Sequence, residues 1–547
     1  MSRYAIILTL VLFSGAMTTA AEHPLPVAQP KPVELLPGIH GKLHHPIATK
    51  SREAQQFFDQ GLLLIFAFNH PEAERSFRKA AEIDPTSPMP HWGIGYALGP
   101  NYNRDADPVG PDRNKLAYEA VQTALTLAKG KPAREAAYVA ALTKRYSLDP
   151  KADGKKLEAE FKDAMRDLAQ KYPDDLDAAT LYAESMMNLK PWQLWTADRK
   201  PAEGTEEIVR VLENVLRRFP DHPGANHYYI HAMEASPNPE RAMPSALRLG
   251  ALAPGAGHLV HMPAHIYMHT GDYELSARCN QLAAKADEEY FERTGMKQGV
   301  YYLMYYPHNI HFIAYSRGEQ GRYAEAKQAA RKLAAHVQPY VAAMPMLEGF
   351  QIIPIYVMLR FHDYDSLLAL PEPTEKQVLT KALRHYARCV AFAAQKKPME
   401  AAQERDEFNA AVKQLPAEAS FAANPAAKIF EVAATVLDAR LAATAKDAIP
   451  HWEKAVKLQT ELRYGEPPDW YYPIRESLGA AYLRNGQPQE AEAVFRADLE
   501  RNLRNGRSLY GLWHALKAQN KRYDAECVRR EFERAWQGGV PLRIEEY

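Results

Sequence analysis

Cysteine is scarce in this chain of 547 residues, which has only Cys279, Cys389 and Cys527. They are odd in number, far apart and free of any CxxC pair, which excludes a disulfide framework and a thiolate cluster. Their helical surroundings predict three buried thiols. An excess of one charge is also missing, since Lys plus Arg and Asp plus Glu both number 67. That balance argues against a general nucleic-acid or anionic-membrane binder, which would carry a basic surplus. Alternating strand-like runs between hairpin turns are absent, which argues against a sheet protein. HExxH, GxSxG, P-loop and CxxCH signatures are absent too. The glycines at 93, 95 and 99 lack the strand that a dinucleotide site needs, and they suit a close helix crossing.

Long apolar runs are lacking as well. The run Ala5–Phe13 is too short for a bilayer span, which takes about 20 residues. With Arg3 before it and Thr18-Thr19-Ala20-Ala21 after it, residues 1–21 read as a signal peptide. No cysteine stands at the cleavage region to carry a lipid. The expected mature protein is exported, periplasmic or secreted, with no stable membrane anchor.

Residues 22–50 are rich in Pro and His and predict an extended N-terminal segment, with His40, His44 and His45 solvated. From Ala54 onward a repeat sets in. Gly61, Ala73, Phe77, Ala80 and Pro85 stand at the spacing of a helix–turn–helix unit of about 34 residues. Leu478, Gly479, Tyr482, Ala491 and Phe495 repeat that spacing. Small residues suit close helix crossings, a large one fills the gap, and Pro ends the second helix. Turns followed by tyrosine, as at Gly271-Asp272-Tyr273, Gly321-Arg322-Tyr323, His362-Asp363-Tyr364 and Lys521-Arg522-Tyr523, mark the junctions between paired helices. The period breaks at the polar stretch 101–110 and at 190–204, where Trp192 and Trp195 are expected to pack over one edge. Pro371 to Thr374 is a candidate seam between solenoids at 51–370 and 371–547.

On these residues the chain resembles the tetratricopeptide-repeat superfamily over roughly residues 54–536. The resemblance implies an all-α, right-handed superhelical solenoid of antiparallel helix pairs. It further implies that the first helix of each repeat lines a concave groove where ligands bind. The segments HMPAHIY and YYPHN also look like a bacterial group of exported repeat proteins, which adds no mechanism.

Histidine is what the sequence has in unusual supply. His227, His231 and Glu234 fall within about 60° of one helical face. His258, His261, His265 and His269 fall within about 80°, and His308, His311 and Tyr315 within about 60°. The repeat register, set independently by Ala242, Ala246, Leu249, Pro254, Tyr273, Ala283, Tyr323 and Ala326, turns all ten toward the groove. The equivalent face of the first repeat, Gln55, Phe58, Leu62, Ile65 and Phe66, is mostly apolar.

Neutral imidazole is the commonest metal ligand, and an HxxxH pair sets two on one helical face. His227, His231, Glu234, His261, His265 and His311 are the candidate metal ligands, with His231 and His265 central. Zinc, copper or iron would suit this mixed nitrogen and carboxylate set. His258, His269, His308 and Tyr315 are the candidate ligand-binding residues. Three functions stay open: a binding module that captures a ligand, protein or peptide, a metal-dependent hydrolase-like enzyme using the same groove, and a metal-free assembly scaffold. No catalytic residue is assigned; Glu234 could serve as a base beside a metal-bound water or merely orient an imidazole.

Overall fold

A computed structural model of the protein describes residues 30–103 and 111–547. The expected signal peptide and residues 104–110 of the polar stretch lie outside the described residues. Among these, twenty-six α-helices follow one another, with isolated bridges and no strand. No described helix is long and apolar enough to cross a membrane.

The helices form antiparallel pairs that stack in chain order. The small-and-large pattern explains the stacking. Phe77 fills the space between the helices carrying Gly61 and Gly93, and Phe495 does so between those carrying Gly479 and Gly511. A Cβ at Gly61 or Gly479 would come within 2.6 Å of the ring beside it. The same device thus closes helix crossings at both ends of the chain.

Each tyrosine-marked turn contains one residue in the left-handed region. It is Gly271 (φ +74°), Gly321 (φ +74°), His362 (φ +56°) or Asn520 (φ +58°). Such a residue reverses the chain tightly enough for the two helices of a pair to pack. The chain between the second and third histidine stripes is mostly helical, with a short break at 295–298. Tyr273–Thr294 runs 22 residues and ends at Gly295 (φ +72°), and a single π turn at Tyr301–Tyr305 precedes Tyr306–Glu319.

One apolar core runs from Leu36 to Ala481 and continues across the irregular stretch at 371–377 through Leu367 and Leu379. A smaller cluster around Phe495, Leu512 and Leu516 serves the last pairs.

Two expectations need correction. The segment before residue 50 is extended but only partly solvated, with His40 and His44 exposed as expected. Leu36, Ile39 and Ile47 join the core, and His45 is 3 % exposed. The three thiols are free but not uniformly buried, since only Cys389 is enclosed, Cys279 is half-buried and Cys527 is exposed. Cys527 lies on helix Arg522–Ala535, of which only Ala525 is buried.

Candidate metal centre

Three first helices carry the histidine stripes: Pro223–Met233, the bent pair Gly257–His261 and Pro263–His269, and Tyr306–Glu319. Pro263 lacks an N–H and breaks the middle helix at Met262. His265 N bonds back to Met262 O at 3.2 Å, a tighter turn that keeps His261 and His265 on the same side.

The stripes meet, but not on an open groove. His227, His231, Glu234, His258, His261 and His265 are each 2 % exposed or less. The chain itself fills the groove. Phe68 stacks on His231 and His258, while Tyr102 and Trp192 pack on His231. From the C-terminal half, residues 463–472 reach across and place Glu466, Tyr464 and Tyr471 among the stripes. The expected concave surface is therefore a closed chamber at this point.

Inside it, most imidazoles have one nitrogen committed to the protein. His227 Nδ1 lies 2.6 Å from Phe66 O, His231 Nδ1 3.1 Å from Glu234 Oε1, and His261 Nδ1 2.7 Å from Asn280 Oδ1. Asn280 is itself oriented by donating to Ser276 O at 2.8 Å. Each of these acceptors fixes the proton on Nδ1 and leaves an Nε2 lone pair facing inward. His265 points its Nδ1–H at Glu466, and Glu234 Oε2 lies 2.9 Å from the same nitrogen in charge contact. His269 Nε2 contacts Glu466 and lies 3.0 Å from Tyr464 Oη.

The inward nitrogens gather in two sets, His227/His231/His258 and His261/His265/His308, with donor atoms of each set within 4.8 Å of one another. His227 and His258 bring Nε2 atoms to 3.1 Å, and His261 and His265 to 2.9 Å. Two nitrogens on one tetrahedral zinc stand roughly 3.3 Å apart, close to these separations. His231 Nε2 and His258 Nδ1 are buried acceptors with no hydrogen-bond donor. Orphaned buried acceptors are costly unless something positive meets them.

Burial, then the mutual repulsion of neighbouring imidazoles, pushes His227, His258, His261 and His308 well below the ordinary pKa. They stay neutral, the form that binds metal. Burial also disfavours charge on His265, but Glu234 and Glu466 outweigh it and hold that pKa up at about 10. Burial would raise Glu466, yet His269 and His265 hold it down at about 2. Glu234 is likewise lowered against burial by His265 and His231.

Of the ten residues singled out from the sequence, seven form this chamber, with His269 at its edge. His311 and Tyr315 stand apart, packed against Tyr471. His258 and His308, read as ligand-binding, take places beside the proposed metal ligands. The sequence reading missed Glu466, Asn280, Phe68 and Tyr102. The only signal for Glu466 was the aromatic, proline-rich stretch Tyr464 to Tyr472, which carries no helical period. It also missed a second buried polar cluster, where Asp177 lies 2.7 Å from His45 Nδ1 and 3.2 Å from His222 Nε2. That network pins the N-terminal segment to the first repeats.

The stacked pairs and their small-residue crossings define an all-α solenoid of tetratricopeptide type. No protein-family profile matches the chain, and no curated protein matches it. Solved structures similar to it include yeast Tom70, at 13% identity and TM-score 0.33, covering 89% of this chain and 100% of that one. The human IFIT1 dimer with m7Gppp-AAAA is similar at 12% identity and TM-score 0.32, covering 89% and 91%. The P58(IPK) TPR domain is similar at 14% identity and TM-score 0.21, covering 86% and 99%. Likeness this distant says nothing about ligands.

Proposed function

We propose that this protein is an exported tetratricopeptide-type binding module whose buried His/Glu chamber holds a transition metal. The observation that carries the reading is the gathering of inward imidazole nitrogens, three of which, on His227, His231 and His261, belong to rings whose outer nitrogens the protein has already fixed. Carbonyl or carboxylate partners of this kind orient metal-ligating histidines generally. An ion needs only side-chain shifts within the chamber, whereas a peptide would have to displace residues 463–472. Glu234 is assigned an orienting role, since its carboxylate already holds His231 and His265, and catalysis is not part of the reading. Elsewhere on the solenoid a protein or peptide partner remains compatible with the fold.

The deciding experiment is elemental analysis of protein purified without a His tag or chelating resin. We expect bound zinc, copper or iron, and loss of it in His231→Gln. Protein that takes up none of these metals, even after equilibration with each, would refute the proposal.

A further inference from the structure

We propose that the chamber holds two adjacent copper(I) ions, one on His227/His231/His258 and the other on His261/His265/His308. This rests on the metal reading above and adds a number, a metal and an oxidation state.

The number follows from the arrangement. Six imidazoles from three helices divide into two sets of three. The sets adjoin, with the rings of His258 and His261 stacked at 5.7 Å and those of His231 and His265 5.8 Å apart. One ion bonds nitrogen at about 2.0–2.1 Å, so it can serve one set only. The other set keeps two Nε2 atoms directed at one another, at 3.1 or 2.9 Å, where a second ion can replace the proton they share. Glu234 contacts one histidine of each set, His231 at 3.1 Å and His265 at 2.9 Å, so a single carboxylate orients both halves.

The metal and its charge follow from the donors. Each set offers nitrogen only, which suits zinc, copper, iron and nickel, while the carboxylates of Glu234 and Glu466 gather on the opposite nitrogen of His265, its Nδ1. Structural zinc takes four protein ligands, whereas each set supplies three. Copper(I) accepts three-coordination. The carboxylates meeting the chamber are Glu234 and Glu466; among the described residues neither pairs with Lys or Arg, and Glu466 also meets His269 at the chamber edge. Two monovalent ions balance these two carboxylates. Two divalent ions would leave an uncompensated surplus in a site from which water is excluded, at several kcal/mol per ion. The aromatic wall of Phe68, Phe312, Tyr102 and Tyr305 further disfavours extra charge.

The test is anaerobic titration of the metal-free full chain with copper(I) against a chromogenic copper(I) chelator, with zinc(II) in a parallel arm. We expect two copper(I) per chain. The double variant His227→Gln/His258→Gln, checked for helicity, should bind one, and so should His261→Gln/His308→Gln. Saturation at one copper(I), or at one zinc with no copper, would overturn the pair while leaving the metal reading intact. Failure of copper, zinc and iron alike to bind would overturn both. Two copper ions retained by a double variant would overturn the assignment of the sets. Should the variants lose their helical signal, X-ray absorption on the copper-loaded wild type decides. Three nitrogen neighbours per copper support the proposal, and a sulfur or four-ligand shell refutes it.

Discussion

Glu466 and His265 form a fully buried pair inside the chamber. In metal-free protein His265 is an imidazolium held between two carboxylates. Removing one partner of a buried pair costs about 3–5 kcal/mol. Glu466→Gln should therefore lower the unfolding free energy of metal-free protein by about that much, read from urea midpoints. An unchanged midpoint would mean that the pair is not charged. The pH dependence has two limbs of opposite sign. A raised histidine pKa stabilises fully below the unfolded value of about 6.5 and fades as pH climbs toward about 10. A lowered one works the other way. Burial holds His311 at about 3, so the unfolded chain binds a proton there first, and stability drops as pH falls below about 6.5. At roughly 1.4 kcal/mol per unit, His311 alone should cost about 2 kcal/mol between pH 6.5 and 5. His311→Phe keeps a ring against Tyr471 and should shrink that acid limb by this amount. Equal acid sensitivity in variant and wild type would contradict it.

At the scale of helices, what the sequence revealed and what it hid divide along physical lines. The paired helices were legible because Gly61, Phe77, Gly479 and Phe495 act locally, through spacing that any reader can count. The histidine stripes were legible because 3.6 residues per turn sets their faces. Closure of the groove was not legible. Phe68 lies in a turn, Trp192 in a connection and Glu466 in an irregular stretch, and none of these has a period that foretells its destination. Two predictions belong here. Gly61→Ala must push a methyl against Phe77 and should cost about 1–3 kcal/mol by overpacking. Gly154→Ala, with open space around its Cβ, should be neutral or stabilising in the same thermal-melt series. Trp192→Ala strips a half-buried ring from His231 without touching a donor atom. It should leave metal content unchanged and speed metal loss to a competing chelator. An unchanged rate would show that entry lies elsewhere.

A solenoid in which repeats touch only their neighbours unfolds piecemeal, because no long-range contact couples its ends. This molecule departs from that picture. Glu466 contacts His265 and His269, Arg504 pairs with Asp272, and Gln537 N donates to Gln320 O at 2.9 Å. Each links repeats far apart in sequence, so the superhelix is closed upon itself. Local opening near 223–319 must then break contacts with 463–472, and the two regions should share one opening free energy. Native-state hydrogen exchange on metal-free protein can read this directly. In the wild type, core amides of Pro223–Met233 and Ile474–Arg484 should exchange with the same free energy and the same denaturant slope. In Glu466→Gln the two should separate, with one region opening at lower cost. Wild-type amides that already differ by more than about 1 kcal/mol would show that the repeats open independently, as in a simple stack. A shared value in both wild type and variant would instead assign the coupling to the outer links at Asp272 and Gln320.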